Sequence, residues 1–288
     1  MLKRDLYLHC SRFVPPGHYY SPIPSDEEIE LWSKNPRSAS ELGLDRRVPQ
    51  QESLATSLAK FYPEIPFKDQ ADGDLRYYYQ NTFFSYSDAI FLHLLIRHLE
   101  PRRIIEVGSG FSSAVMLDTV GRFLKGNSQL SFVEPYPERL QSLLRPDDTN
   151  RCTVIQKRVQ DVGVTPFLAL EANDILFIDS THITKVGSDV NFLLFEVLPH
   201  LKPGVWVHIH DIFPNFDYPV ATVRDGIAWN EAYIVRAFLT FNSDFEIALH
   251  VPHFVENHRE WLKNNMPDCL KSSGGSLWLR RKNLPTNS

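Results

Sequence analysis

The chain has 288 residues, of which 43% are hydrophobic, and a formal net charge of −5 at pH 7. This length and apolar content suffice for one large core, and an acidic balance without a basic stripe argues against a protein that mainly binds nucleic acid. Three cysteines without C-x-x-C spacing exclude a disulfide framework and a cysteine zinc site. With no apolar run of about 18 residues, we expect a cytoplasmic protein without a membrane partner.

Residues 1–87 do not show the periodicity of a parallel α/β unit. Residues 13–24 are rich in proline and aromatic side chains and are predicted to be extended, and helices are predicted from a Ser25 cap to about residue 33 and over about residues 52–61. The aromatic residues between positions 77 and 86 suit either a cap packed onto a core or the lining of an acceptor pocket. We predict that residues 1–87 form an N-terminal cap or lid.

The predicted core domain, residues 88–288, begins with a helix over residues 88–99 that is capped by Ser87 and Asp88. A β-branched strand over residues 104–107 follows, and the sequence Gly108-Ser109-Gly110 breaks it before the next helix. Glycines lack a Cβ, so a ligand can lie against bare backbone at such a turn, where the helix start presents unpaired N–H groups. The turn is therefore a predicted ligand site.

An acid at a strand end followed by G-S-G resembles the first motif of class I S-adenosylmethionine (SAM) dependent methyltransferases. Glu134, which ends the second predicted strand, lies 24 residues beyond Gly110, close to where a βαβ unit places a carboxylate for ribose hydroxyls. The resemblance also implies that an acid after the third strand, Asp161, meets the adenine amino group. The predicted SAM-binding residues are Glu106, Gly108, Ser109, Gly110, Ser112, Glu134, Asp161 and Asp179.

Two later predicted strands, over residues 174–179 and 205–211, end in the carboxylates of Asp179 and Asp211. In a doubly wound sheet these strands are neighbours about 4.8 Å apart, so both carboxylates would reach one cleft. Such a pair binds a divalent cation or shares a proton. His182 and His210 are expected near the mouth as metal ligands or a general base, and His208 is expected to be a core histidine.

The segment F-I-D-S-T-H at residues 177–182, followed by Lys185 and Asp189, is similar to the I-D-G-D-H segment of the macrocin O-methyltransferase-like and cephalosporin hydroxylase-like branch of these enzymes. The similarity covers about residues 88–282. It implies the class I fold and, as in several members, Mg²⁺ bound by acids at the ends of strands four and five. The sequence H-I-H-D at the end of strand five departs from this pattern, and a histidine ligand would favour Mn, Fe or Zn.

The remaining pattern predicts helices over residues 192–198, 229–239 and 256–264, strands over residues 245–249 and 276–280, and a Gly274-Gly275 turn suited to a closing hairpin. We therefore predict an α/β fold with a doubly wound, seven-stranded, Rossmann-like sheet. The sheet should be mostly parallel, with an antiparallel last strand.

The predicted function is SAM-dependent methyl transfer to a hydroxyl of a small molecule, such as a sugar or specialised metabolite. The predicted catalytic residues are His182, His210 and Asp179, and the predicted divalent metal ligands are Asp179, His182, His210 and Asp211, for Mg, Mn or Fe. The alternatives are a metal-dependent hydroxylase or oxygenase on the same fold, with iron at this cluster, and a non-catalytic SAM-binding protein. Whether the protein forms a homo-oligomer stays open.

Overall fold

The computed structural model describes residues 13–34 and 42–282, and these residues form a seven-stranded sheet in the order β3-β2-β1-β4-β5-β7-β6. Strand β7 runs antiparallel to both of its neighbours, and the other pairs are parallel. The predicted α/β fold class is thereby confirmed. The strands are β1 (Arg103–Val107), β2 (Gln129–Val133), β3 (Cys152–Ile155), β4 (Ile175–Ile178), β5 (Trp206–Ile209), β6 (Phe245–His250) and β7 (Leu277–Arg281).

Helices cover both faces of this sheet. They are α1 (Asp26–Lys34), α2 (Val48–Ala59), α3 (Tyr86–Leu99), α4 (Phe111–Phe123), α5 (Glu138–Leu143), α6 (Val159–Val162), α7 (Asp189–Phe192), α8 (Val220–Arg224), α9 (Glu231–Phe241), α10 (Val251–Asn257) and α11 (Arg259–Asn265). Helix α7 continues as a π-helical turn over Leu193–Val197. No helix in residues 13–34 and 42–282 is both long enough and apolar enough to cross a bilayer.

Two hydrophobic clusters lie on opposite faces of the sheet. Helices α3 and α4 contribute to one cluster, and the residues of α7, its π-helical extension and α9 contribute to the other. Strand β4 is buried along its whole length, as expected for a parallel strand that is covered on both sides. Because its strands are buried on both faces, the sheet can expose functional groups only at the strand ends.

The aromatic segment before α3 packs into the first of these clusters. Tyr77, Tyr79 and Phe84 are buried there, and Tyr77 donates a hydrogen bond from its hydroxyl to the Phe84 carbonyl at 2.7 Å. Helix α1 lies against α8, with an ion pair between Glu30 and Arg224. The division into residues 1–87 and 88–288 stays a prediction, and its residues 1–12, 35–41 and 283–288, with Cys10, lie outside the described residues.

The predicted cap of α3 was wrong. The helix begins at Tyr86, and Ser87 and Asp88 lie inside it as buried residues. Ser87 Oγ donates to the Cys269 carbonyl at 2.7 Å, and Asp88 accepts hydrogen bonds from the backbone N–H groups of Gly275 and Ser276, both at 3.0 Å. A serine and an acid at a predicted helix start are common cap signals, but here distant tertiary partners take them.

The C-terminal region agrees with its prediction except in one place. Strands β6 and β7 are antiparallel neighbours joined by a helical connection, as predicted. The single helix predicted over residues 256–264 is divided into α10 and α11 at His258. Gly275 packs against the backbone of Asp211, because a Cβ at position 275 would lie 3.0 Å from the Asp211 Cα. Gly275 therefore makes room for the chain just after β5.

Candidate active site

The glycine turn after β1 is held by both neighbouring strands. The Gly108 N–H donates to the Val133 carbonyl at 3.0 Å, and the Asp179 N–H donates to the Val107 carbonyl at 2.8 Å. Gly108 has a φ of +82°, and a Cβ there would lie 1.7 Å from the Asp179 carbonyl oxygen. Only glycine fits this conformation and this close backbone approach. The space that a Cβ of Gly108 would fill is thus occupied by the end of β4.

Glu106 lies beneath the turn. It is fully buried, and its carboxyl group accepts hydrogen bonds from the hydroxyls of Ser112, at 2.5 Å, and Ser113. Burial raises the pKa of Glu106 to about 8, although both hydroxyls act in the opposite direction. Glu106 is therefore placed to hold the first turn of α4 against β1, and it does not line the cleft described below.

Glu134, just beyond β2, points toward the glycine turn. One of its carboxylate oxygens accepts the Ser109 N–H at 3.0 Å, and the other accepts the Tyr136 N–H at 2.8 Å. Asp161 has a different environment, because Arg158 binds its exposed carboxylate at 2.8 Å and lowers its pKa. Glu134 lines the cleft, whereas Asp161 is not among the lining residues.

A cleft of about 370 Å³ opens at the carboxyl ends of β1, β4 and β5. The structure brings most of the predicted site residues together in its lining: Gly108, Ser109, Gly110, Ser112, Glu134, Asp179, His182, His210 and Asp211. Two larger grooves, of about 590 and 480 Å³, contain none of these residues. The smaller cleft is the candidate site, because ligands of doubly wound folds bind outside the carboxyl ends of the strands.

Asp179, His182, His210 and Asp211 form a carboxylate–imidazole cluster at the far end of this cleft. Nε2 of His182 lies 3.3 Å from Asp179 Oδ1 and 3.5 Å from Asp211 Oδ2. Nε2 of His210 lies 3.8 Å from Asp211 Oδ1. His182 and Asp211 both adopt positive φ, +59° and +55°, which are strained conformations for residues with a Cβ.

The charges within the cluster shift each other's pKa. Burial opposes ionisation of Asp179, but His210 and His182 outweigh it and lower the pKa of Asp179 to about 2. Burial also opposes protonation of His182, yet its bonds to Asp179 and Glu231 raise its pKa to about 10. For His210, burial is outweighed by Asp179, Asp211 and Asp88, so its pKa rises. The cluster therefore contains an ionised Asp179 beside a protonated His182.

Glu231, at the start of α9, was missed by the sequence analysis. It is 2% exposed, and its carboxylate accepts the Nδ1–H of His182 at 2.9 Å. The N–H groups of Asn230 and Glu231 donate to the His182 carbonyl at 3.0 and 3.1 Å. The sequence offered no signal, because an acid in a first helical turn is an ordinary helix feature. Trp229, with its ring centroid 4.6 Å from that of His182, was missed as well.

His208 is buried behind the cluster, as predicted. Its ring stacks on Phe177 with 3.7 Å between centroids, and Nε2 lies 2.9 Å from Ser276 Oγ. Burial keeps the pKa of His208 well below its ordinary value. Ser276 Oγ in turn donates to Asp88, which connects this core histidine to a second buried acid.

The donor set does not fit a metal ion in this arrangement. Within residues 13–34 and 42–282, no group of three or more His, Cys, Asp or Glu side chains is placed to hold one. Both ring nitrogens of His182 face carboxylates, so its positive charge already offsets the repulsion from which a cation was inferred. Metal binding by the four residues stays a prediction, and no chemical step below depends on it.

The residues around the glycine turn do fit a nucleoside cofactor such as SAM. Glu134 presents a carboxylate beside bare backbone, and each of its oxygens has a further lone pair for a ribose hydroxyl. Ser180, which also lines the cleft, has a buried hydroxyl oxygen without a hydrogen-bond partner among the described residues. Buried polar atoms are rarely left unpaired, so a ligand group is expected there.

Comparison with known proteins supports the same assignment. Residues 105–212, from β1 to just past β5, match the family model described as a methyltransferase domain, of the Methyltransferase 24 type. An uncharacterized protein of Archaeoglobus fulgidus is 31% identical over 172 residues, which are 57% of this chain and 76% of that protein.

Two solved structures are similar at lower identity. The SAH-bound methyltransferase PaMTH1 of Podospora anserina is 17% identical with a TM-score of 0.46, over 91% of this chain and 99% of that one. The O-methyltransferase TomG of Streptomyces achromogenes, in complex with SAM, is 16% identical with a TM-score of 0.44, over 90% and 97%. Identities and scores this low do not transfer an activity to this chain. The family match shows that residues 105–212 form a methyltransferase domain of the Methyltransferase 24 type, and it confirms the resemblance of this chain to the SAM-dependent methyltransferases.

Proposed function

We propose that this SAM-dependent methyltransferase methylates a hydroxyl of a small molecule, such as a sugar or a specialised metabolite. One observation carries the proposal: the glycine turn with Glu134 and the carboxylate–imidazole cluster line the same cleft. SAM supplies an electrophilic methyl group, so the chain has to position a hydroxyl in line with it and accept the hydroxyl proton.

We propose His210 as the group that accepts this proton. Its Nε2 and Asp211 Oδ1 are 3.8 Å apart, so one hydroxyl oxygen can lie at about 2.8 Å from both. The proton would pass from the hydroxyl to Nε2, and the surrounding carboxylates would stabilise the imidazolium. The carboxylates raise the pKa of His210. The sulfonium of SAM, if bound beside Asp179, would offset part of their field and would favour the neutral imidazole, whose Nε2 can accept a proton.

We assign His182 and Asp179 to positioning. With a pKa of about 10, His182 keeps its proton at neutral pH and cannot act as the base. Its Nδ1–H is fixed by Glu231, and its Nε2–H faces Asp179 and Asp211. This fixed cation holds both carboxylates at the cleft. Asp179 stays ionised, and its charge suits the sulfonium of SAM.

The N-terminal segment is proposed to cover the acceptor end of the cleft. Phe83 and Phe84, which precede α3, are part of the lining. Their apolar rings would exclude water from the acceptor and favour a partly apolar molecule. We further propose a cytoplasmic enzyme with a small-molecule partner and no nucleic-acid or membrane partner, in keeping with its net charge of −5. Homo-oligomerisation stays open.

The test is transfer of an isotopically labelled methyl group from SAM to a panel of sugars, phenols and aliphatic alcohols. SAM binding is measured in parallel by calorimetry. We expect the label in an O-methyl ether, and a His210→Gln protein that binds SAM but no longer forms the ether. Label on nitrogen or carbon would contradict O-methylation. Oxygen- and iron-dependent hydroxylation would favour the alternative enzyme class, and SAM binding without transfer to any acceptor would favour a non-catalytic role.

A further inference from the structure

Arg139, in α5, differs from the other charged residues of the cleft. Of the described residues that line the cleft, it alone is a lysine or arginine, whereas Glu134, Asp179 and Asp211 contribute carboxylates. No ion pair between Arg139 and a carboxylate is formed among the described residues. Its guanidinium is thus available to a ligand.

Arg139 lies across the glycine turn. Its Cδ is 3.0 Å from the point where a Cβ on Gly110 would lie, so the absent side chain leaves room for it. The guanidinium carbon is 3.7 Å from the centroid of the Phe83 ring, and that ring stacks on Phe111 with 6.1 Å between centroids. Such cation–π contacts keep an arginine in place while its N–H groups remain free to donate.

The charges of the cleft restrict what Arg139 can bind. The amino-acid part of SAM carries an ammonium and a carboxylate. The lining acids suit the ammonium and the sulfonium, but they repel the carboxylate. The other fixed cation, His182, has Glu231 on one ring nitrogen and Asp179 and Asp211 beside the other. Arg139 is the cation that remains for the carboxylate.

We propose that Arg139 binds the carboxylate of the methionyl part of SAM. The planar guanidinium can donate two parallel N–H bonds to a carboxylate, which gives orientation as well as affinity. The Phe83 ring supports the guanidinium from the N-terminal segment, so this contact would connect that segment to cofactor binding. The proposal depends on SAM as the cofactor and is independent of the role given to His210.

The test compares SAM with decarboxylated SAM, which lacks only the carboxylate, on the wild type and on Arg139→Ala and Arg139→Gln. We expect both variants to bind SAM about 10- to 100-fold more weakly and decarboxylated SAM less than about 3-fold more weakly. The matched control is Arg122→Ala, an exposed arginine of α4 that pairs with Asp74 at 3.4 Å, outside the cleft. It should bind both ligands as the wild type does.

Three outcomes would overturn the proposal. Equal weakening of both ligands would mean that Arg139 acts through the Phe83 stack or the fold, which thermal denaturation of each variant reports. Unchanged SAM affinity would mean that there is no contact. A higher KM for the acceptor alone would assign the guanidinium to an acceptor carboxylate. A wild type that binds neither ligand would instead contradict the cofactor itself, so the two failures are distinguishable.

Discussion

The two ends of the cleft are built in different ways. The cofactor end comes from a short stretch of chain, with the glycine turn and Glu134 just after β1 and β2. The carboxylate–imidazole cluster depends on distant residues, because Glu231 fixes His182 and Gly275 packs against Asp211. The comparison shows that a local motif can create a binding turn, while the protonation states needed for chemistry depend on long-range contacts.

The same contrast appears between two acids on neighbouring strands. Glu106 belongs to β1, and Asp179 follows β4, its partner in the sheet. Glu106 has only serine hydroxyls as partners, so burial dominates and raises its pKa to about 8. Asp179 faces His182 and His210, and its pKa falls to about 2. At neutral pH, Glu106 is therefore mostly protonated and neutral, whereas Asp179 is ionised. The difference arises because Glu106 has neutral partners and Asp179 has cationic ones.

The largest expected effect is a loss of catalysis from a change in the carboxylate–imidazole cluster alone. His210→Gln should lower kcat by about 100- to 10,000-fold, because it removes the proposed proton acceptor. SAM affinity, which depends on Glu134 and the turn, should change less than about 3-fold. Single-turnover kinetics and calorimetry measure the two effects separately. A variant that retains more than about a tenth of the wild-type kcat would exclude His210 as the base.

The next largest expected effect is a loss of SAM affinity from a change at the cofactor end alone. Glu134→Ala should weaken SAM binding by about 2–4 kcal/mol, or roughly 30- to 1000-fold, because it removes two charge-assisted hydrogen bonds to the ribose. At saturating SAM, kcat should fall far less than the affinity does. Glu138→Ala, in α5 but outside the cleft lining, is the matched control. If SAM binds the folded Glu134 variant as tightly as the wild type, Glu134 is not a ribose ligand.

A smaller effect tests whether distant residues set the charge of the cluster. The pKa of His182 is about 10 in the folded state, against an ordinary value of 6.5, so its stabilising charge is fully present below about pH 6.5 and is lost as the pH rises through 10. We expect the free energy of unfolding to fall over this range, by on the order of a few kcal/mol. Glu231→Gln should flatten the fall, as urea denaturation across the range will measure.

The Glu231→Gln protein also gives a direct readout. NMR titration of His182 should show a lower pKa than in the wild type, since the Gln side chain keeps the hydrogen bond but loses the charge. Asp189→Asn serves as the control, because it removes a carboxylate that accepts a hydrogen bond from Thr181 and not from His182. A His182 pKa that stays the same in the Glu231 variant would mean that Asp179 and Asp211 alone set its charge.

The smallest expected effect concerns metal. Because the charge on His182 already offsets Asp179 and Asp211, chelator treatment should change turnover less than about 2-fold. Metal analysis of the purified enzyme should then find well under one equivalent. One tightly held divalent ion whose removal abolishes turnover would instead establish the metal site predicted from the sequence and would require His182 to give up its proton.

Much of the cofactor end followed from the sequence. The succession of strands along the chain, the turn at Gly108 and the acid at Glu134 were predicted, because strand–turn–helix periodicity and the spacing within a βαβ unit are local properties of the chain. The resemblance to methyltransferase motifs also implied Glu106 and Asp161 as SAM ligands. The structure places both residues outside the cleft lining, because Glu106 is buried under the turn and Asp161 pairs with Arg158. Neither contact can be predicted from a motif.

The sequence by itself thus determined the sheet, its connections and the meeting of Asp179 with Asp211 at one edge, because parallel strands deliver their ends to the same side. Only the tertiary structure decided which groups are charged there. Glu231 reaches His182 across 49 positions of sequence, and no periodic pattern encodes such a contact. A pKa depends on burial and on every nearby charge, and both are set by how distant segments pack.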